Sequence, residues 1–294
     1  RLGPDPEDIA RRINEKTRAI VIVHLWGLPA KITEIQAVAR KHNLKIIEDA
    51  SHAHGAIWRG RPCGSLGDIS VFSLQGDKLA PAGEGGMFLT DDYEYLERAA
   101  CLGDITRIME LETPARRFAA TSFGMKTRIA PLSAALGRIQ LKKLTRHNEQ
   151  RGNNIGYLLA RLEALGFDVY AGPAHIRRTY FECIIRRSWE DCPLTTSQLV
   201  RALQAEGCLV SAPRYPLLHQ QPLFTEGHYL NIARLRASDG IDYSKHRLPT
   251  TEWVNGQLIK LPCFQRADTA LLDAYASAFR KVVEQAEEIA DFIR

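Results

Sequence analysis

No uninterrupted apolar run approaches the roughly 20 residues a spanning helix needs, which excludes a helical membrane protein. There is no low-complexity segment and no internal repeat, so disorder, collagen and coiled coil are excluded too. Charge of one sign is in short supply. Thirty-nine Lys and Arg against 34 Asp and Glu leave +5, spread along the chain, with no basic tract of the kind nucleic-acid binders carry. Six cysteines stand at 63, 101, 183, 192, 208 and 263, and none forms a Cys-x-x-Cys pair. That argues against a zinc ribbon or a redox motif, and no metal is expected. Scattered single thiols predict a reducing, cytoplasmic setting. No strand is followed by Gly-x-Gly-x-x-Gly, and no P-loop pattern occurs, so the common nucleotide-binding fingerprints are missing. No targeting peptide is visible.

What is present is an ordinary globular composition: 294 residues, 45% hydrophobic and a quarter charged, enough for one large domain or two smaller ones. Pro4, Asp5 and Pro6 introduce a helix to Asn14. Residues 18–24 (RAIVIVH) read as a buried strand, 31–43 as a helix, and 44–48 (LKIIE), 69–73 (ISVFS) and 86–90 (GMFLT) as further strands. That rhythm predicts parallel βαβ units. Residues 131–165 form one or two helices, with a polar break near 146–154. The second half changes character. A strand is expected over 179–186, a helix capped by Thr195 or Thr196 to Glu206, a strand over 208–211, and a closing helix over 268–293.

Two stretches carry chemistry. Glu48-Asp49-Ala50-Ser51-His52-Ala53-His54-Gly55 follows a strand, and open α/β sheets bind ligands beyond the carboxyl ends of their strands. The competing reading makes Asp49 a cap and the histidines polar fillers. The second stretch, 73–86 (SLQGDKLAPAGEGG), sets Lys78 in a Gly- and Pro-rich loop, and a lone loop lysine is usually just solvated. Together they suggest pyridoxal phosphate: a lysine holds that cofactor as an imine, and a buried acid keeps its pyridine nitrogen protonated. A free amine has a pKa near 10.4, so a preformed imine avoids the cost of neutralising it.

The sequence resembles the DegT/DnrJ/EryC1/StrS family of pyridoxal-phosphate aminotransferases across nearly its whole length. The resemblance rests on VHLWG (23–27), IIEDASHAHGA (46–56), the strand–Lys–GEGG segment (64–86) and TRIAPLSAALGRIQLKKL (127–144). It continues in RYPLLHQQPLF (214–224), LPTTE (248–252) and LIKLPCF (258–264). It implies a type I, aspartate aminotransferase-like α/β domain over 1–165, truncated at its N-terminus and ending in a connecting helix, then a small α+β domain over 166–294.

By resemblance, Lys78 is the Schiff-base lysine and proton shuttle, Asp49 the pyridinium partner, and Ser73 a ligand of the cofactor phosphate. His52 stands where many members have a Gln that contacts the phenolic oxygen. Lys126, in GMKTR (124–128), stands where many have an Asn that reaches the partner subunit's cofactor phosphate. Glu84, Arg128, Tyr215 and His219 fall near the substrate. The implied reaction is ping-pong transfer from Glu or Gln to a keto-sugar, usually nucleotide-linked, in sugar, polysaccharide or antibiotic biosynthesis. A cyclitol-type ketone is the alternative acceptor. The family's dehydratase branch replaces the lysine, so Lys78 argues against it. A non-catalytic sensor or accessory protein keeping the fold is a further alternative. Members are generally homodimers with shared sites. They usually have roughly a hundred more residues before the point matching Arg1, including an anion-binding turn at a helix start. The chain is therefore expected to be a fragment or an incomplete sequence, to bind the cofactor weakly or not at all, and to expose apolar surface.

Overall fold

The computed structural model describes residues 2–121, 125–187, 192–234 and 240–293. In chain order these form α1 (Pro6–Arg12), β1 (Ala19–Val23), α2 (Ile32–Lys41), β2 (Lys45–Asp49), β3 (Ile57–Trp58), β4 (Arg61–Pro62), β5 (Ile69–Ser73) and β6 (Gly86–Leu89). Then come α3 (Tyr93–Gly103), α4 (Ile105–Glu110), α5 (Pro131–Ala164), β7 (Phe167–Asp168), β8 (Ile176–Arg177), β9 (Cys183–Arg187) and α6 (Thr196–Ala205). The remainder is α7 (Pro222–Thr225), α8 (His228–Ile232), α9 (Pro249–Asn255), β10 (Leu258–Leu261), α10 (Thr269–Glu284) and α11 (Ala286–Ile293). The chain divides into two compact units, 1–153 with 171–181, and 154–170 with 182–294. Among the described residues no helix is long and apolar enough to cross a membrane.

The first unit is built on a four-stranded sheet of order β1-β2-β5-β6. Alternation along β1 sends Ile20 and Ile22 inward, where they pack with Ile32 and Ile35 of α2 and with Ile46 of β2. Val21, on the other face, is 62% exposed, so β1 is buried on one side only and not on both as its apolar run suggests. Only β1–α2–β2 is a helical crossover. β5 lies parallel to β2, but residues 50–68 that lead to it hold just the short β3–β4 ribbon. β6 returns antiparallel to β5, because the Gly- and Pro-rich loop 74–85 doubles back instead of crossing over. The parallel rhythm read from the sequence therefore fails at β6. One consequence matters for the site: β2 and β5 end side by side, with Asp49 opposite Val71 and the Ala50 N–H donating to the Val71 carbonyl at 2.9 Å.

Polar residues near 146–154 do not break α5. Asn148 and Asn154 serve as tertiary hydrogen bonders instead. In the first unit Asn148 Nδ2 donates to the His54 carbonyl at 2.9 Å and Arg151 donates to Asn148 Oδ1 at 2.8 Å. In the second unit Asn154 Nδ2 donates to the Phe264 carbonyl at 2.6 Å.

The second unit carries the antiparallel sheet β10-β9-β7. Thr195 caps α6 with a full capping box to Gln198, which satisfies two orphan amides at once. The expected strand at 179–186 starts only at Cys183, because Tyr180 adopts φ +51°. Residues 208–211 make one bridge, Ser211 to Lys260, and no strand. The closing helix is two helices, separated at Gln285. Phe279 of α10 is fully buried and meets Phe167 edge to face, with ring centroids 5.3 Å apart. Phe279→Ala should cost the second unit about 3–5 kcal/mol, seen as an earlier chemical-denaturation midpoint by circular dichroism.

Candidate active site

The site is built where β1, β2 and β5 end. Successive side chains of a strand point to opposite faces, so Glu48 and Asp49 diverge. Glu48 is fully buried. Its carboxylate accepts from the amides of Leu66 and Gly67 at 2.6 Å and of Gly64 at 2.8 Å. His24 Nε2 lies 2.8 Å from the same carboxylate. Because the Ala30 N–H donates to His24 Nδ1 at 3.1 Å, the ring is the neutral tautomer with its proton on Nε2, directed at Glu48. Burial pushes the Glu48 carboxyl upward. The His24 hydrogen bond and the backbone amides outweigh it and hold the group below its ordinary value.

Asp49 is half-buried at the end of β2. One of its oxygens accepts from the Ser51 N–H at 3.0 Å, and its carbonyl accepts from His24 N–H at 3.1 Å. Ser73 ends β5 next door, with Oγ accepting from the Gln75 N–H at 3.3 Å. Lys78 follows on the loop. Its amine rests 4.4 Å from the centroid of the Phe181 ring. His52 stacks on that ring as well, at 4.0 Å and an interplanar angle of 17°. The Trp26 N–H reaches His52 Nδ1 at 3.4 Å.

Gly27 explains how these segments meet. Its φ is +80°, and a Cβ there would lie 2.7 Å from Thr179 Oγ1, 2.9 Å from Tyr180 N and 3.0 Å from the His52 carbonyl. Only a residue without a side chain admits all three. The Thr179 N–H donates to the Gly27 carbonyl at 3.1 Å and sets the register of Phe181.

His54 is 2% exposed, and neither ring nitrogen makes a hydrogen bond of normal geometry. Burial pushes its pKa down to about 4; the Ser73 backbone opposes this and the nearby Lys78 charge reinforces it. His54 and Lys78 are therefore electrostatic neighbours.

The structure thus gathers Lys78 and His52 on one ring, with Asp49 and Ser73 on adjoining strand ends. Glu84 and Lys126 are exposed, and Gly124 of the GMKTR motif lies outside the described residues. Arg128 Nη1 is 3.9 Å from Asp104, and Thr127 N–H donates to the Gly103 carbonyl at 2.9 Å, which clips this segment to the α3–α4 junction. In the second unit His219 is buried, 2.9 Å from Glu252, which also accepts from Leu248 N–H at 2.9 Å. That bond joins the RYPLLH and PTTE segments. Tyr215 is exposed nearby in sequence. Phe181, His24 and Gly27 were not singled out. Gly27 alone had a readable signal, a glycine directly after a strand and a tryptophan. Nothing local marks Phe181.

Residues 1–279 match the model of the DegT/DnrJ/EryC1/StrS aminotransferase family. The chain belongs to this family. The resemblance, the α/β transferase fold and the class of enzyme expected from the sequence are borne out. Among curated relatives, L-glutamine:scyllo-inosose aminotransferase of Streptomyces griseus is 32% identical over 300 residues, covering 97% of this chain and 69% of that protein. GDP-perosamine synthase of Caulobacter vibrioides is 32% identical over 245 residues, covering 82% of this chain and 64% of that protein. Among solved structures, the aminotransferase from Psychrobacter cryohalolentis superposes with a TM-score of 0.79 at 25% identity, covering 97% of this chain and 73% of that one. DesI, solved in the presence of its TDP-sugar product, gives 0.78 at 26% identity, covering 99% and 69%. The chain spans 64% to 69% of the length of the two curated relatives.

The buried imidazole of His54 gives a stability signature. Its folded pKa, about 4, lies below the ordinary 6.5, so between these values the unfolded chain binds the extra proton. The contribution is whole above pH 6.5 and is lost as pH falls toward 4, by roughly 3 kcal/mol at 1.36 kcal/mol per unit. Urea midpoints measured from pH 7 to 4 should fall less steeply in His54→Asn than in wild type.

Proposed function

We propose that the chain transfers an amino group from glutamine or glutamate to a ketone on a polyhydroxylated ring, using pyridoxal phosphate. The observation that carries this is the meeting of the Lys78 amine and the His52 imidazole on Phe181, at a sheet edge where Asp49 and Ser73 end adjoining strands. These groups fit the cofactor: an amine to tether it, an acid for its ring nitrogen and a hydroxyl for its phosphate. Bound there, pyridoxal phosphate supplies an electron sink and carries the amino group between donor and acceptor.

The protein's own groups divide the remaining work. Lys78 Nζ takes a proton from the substrate carbon and returns it, as a positioned general base and acid. Asp49 keeps a proton on the ring nitrogen. Its backbone is held by His24 and its carboxylate by the Ser51 amide, so the acid is preorganised. His52, steadied by the Trp26 amide, would offer an imidazole to the cofactor's phenolic oxygen. By the family resemblance Lys126 would serve the phosphate of a neighbouring copy's site, and Glu84, Arg128, Tyr215 and His219 would serve the substrate. We infer two domains, 1–165 and 166–294, and a homodimer. Leu132, Leu136 and Ile139 recur at helical spacing on exposed turns of α5, an apolar stripe that a second copy would cover. The scattered single cysteines of the sequence carry the proposal of a cytoplasmic location.

A keto-sugar, usually nucleotide-linked, is the leading acceptor, as the names of GDP-perosamine synthase and the TDP-sugar complex of DesI suggest. The scyllo-inosose aminotransferase favours a carbocyclic ketone as the second reading. Adding pyridoxal phosphate should produce a visible absorbance band that bleaches with L-glutamine, and half-reactions with nucleotide-linked keto-sugars and with keto-cyclitols should separate the acceptors. A band that never bleaches with any donor would leave a non-catalytic binding protein. Lys78→Ala should abolish the band. Asp49→Asn should slow proton abstraction at least tenfold while weakening cofactor binding much less, measured by stopped-flow and by titration.

A further inference from the structure

We propose that Phe181 is a positioning residue for Lys78: one face of its ring holds the ε-ammonium beside the site, while the His52 imidazole closes the other face. The inference rests on the reading of Lys78 given above. An aromatic ring has two faces, and an imidazole lying nearly parallel at 4.0 Å covers one of them. The amine, 4.4 Å from the same centroid, therefore takes the other. A ring face attracts a cation through its quadrupole, and the attraction grows when water is excluded. Phe181 is buried, so the contact is shielded.

The chemistry suits an amine that must attach and release in every cycle. A carboxylate here would hold the ammonium in an ion pair and would add an acid of its own. Phenylalanine has neither donor nor acceptor. It keeps a released amine within reach without competing for the proton. The position is enforced from below: the Thr179 amide bonds to Gly27, Tyr180 takes a positive φ, and the missing Gly27 side chain leaves room for both. The same glycine approaches the His52 carbonyl, so both neighbours of Lys78 are registered on one turn. Titratable groups near the amine include His52 across the ring, His54, which burial keeps neutral, and Asp77, which precedes it on its own loop.

Favouring the ammonium lowers the amine's reactivity in the cofactor-free protein. The test is competitive acetylation of Lys78 from pH 8 to 10.5, where imidazoles are uncharged, read by peptide mass spectrometry against the other lysines. Removing the ring face in Phe181→Leu should make Lys78 label about three- to tenfold faster at pH 8 and move its midpoint to lower pH. Phe181→Tyr should keep the wild-type profile. Phe181→Met, which fills the space without a ring, is a second arm should the leucine variant melt. An unchanged profile in both ring-less variants overturns the proposal, and so does a tyrosine variant that shifts as far as they do. Absorbance with pyridoxal phosphate separates the two readings. A labelling contrast without any visible band removes the cofactor reading, and a band without the contrast removes this one.

Discussion

A carboxylate sealed from water must be solvated by the protein, and Glu48 is the point on which the first unit turns. Three amide N–H groups from one loop and the imidazole N–H of His24 converge on it. Leaving any of them unmade would strand a charge in the interior, which costs more than the bond gains. Residues 64–67 and the turn after β1 are consequently held to the end of β2. The Asp49 carbonyl takes the His24 amide, so the strand that delivers Asp49 is tied on both sides.

From that anchor the geometry propagates by contact. The turn after His24 supplies the Trp26 amide to His52 and the bare Cα of Gly27 to residues 179–181. His52 then stacks on Phe181, and Phe181 meets Lys78. Three stretches far apart in the chain, 24–27, 48–54 and 179–181, thereby frame a lysine carried by a fourth. Preorganisation of this kind matters for proton transfer, because a side chain displaced by an ångström loses much of its effect.

Much of this was legible in residues. The strand ends at Asp49 and Ser73, the Gly-rich loop around Lys78 and the caps at Asp5 and Thr195 were readable because each has a local cause: alternation, positive-φ demand or an orphan amide. The polar stretch in α5 misled for an equally physical reason. Asn148 and Asn154 look like breakers until their tertiary partners are known. The antiparallel return of β6 was hidden because a loop's direction depends on what it packs against.

The sequence by itself determined the family and the fold class, since these rest on residue types at fixed spacing along one chain. The tertiary structure alone decided that His24 is neutral, that His54 lies buried beside a cation, and that an aromatic ring from residue 181 receives Lys78. Those facts depend on which atoms the fold brings into contact and on which atoms water cannot reach. No local pattern encodes either.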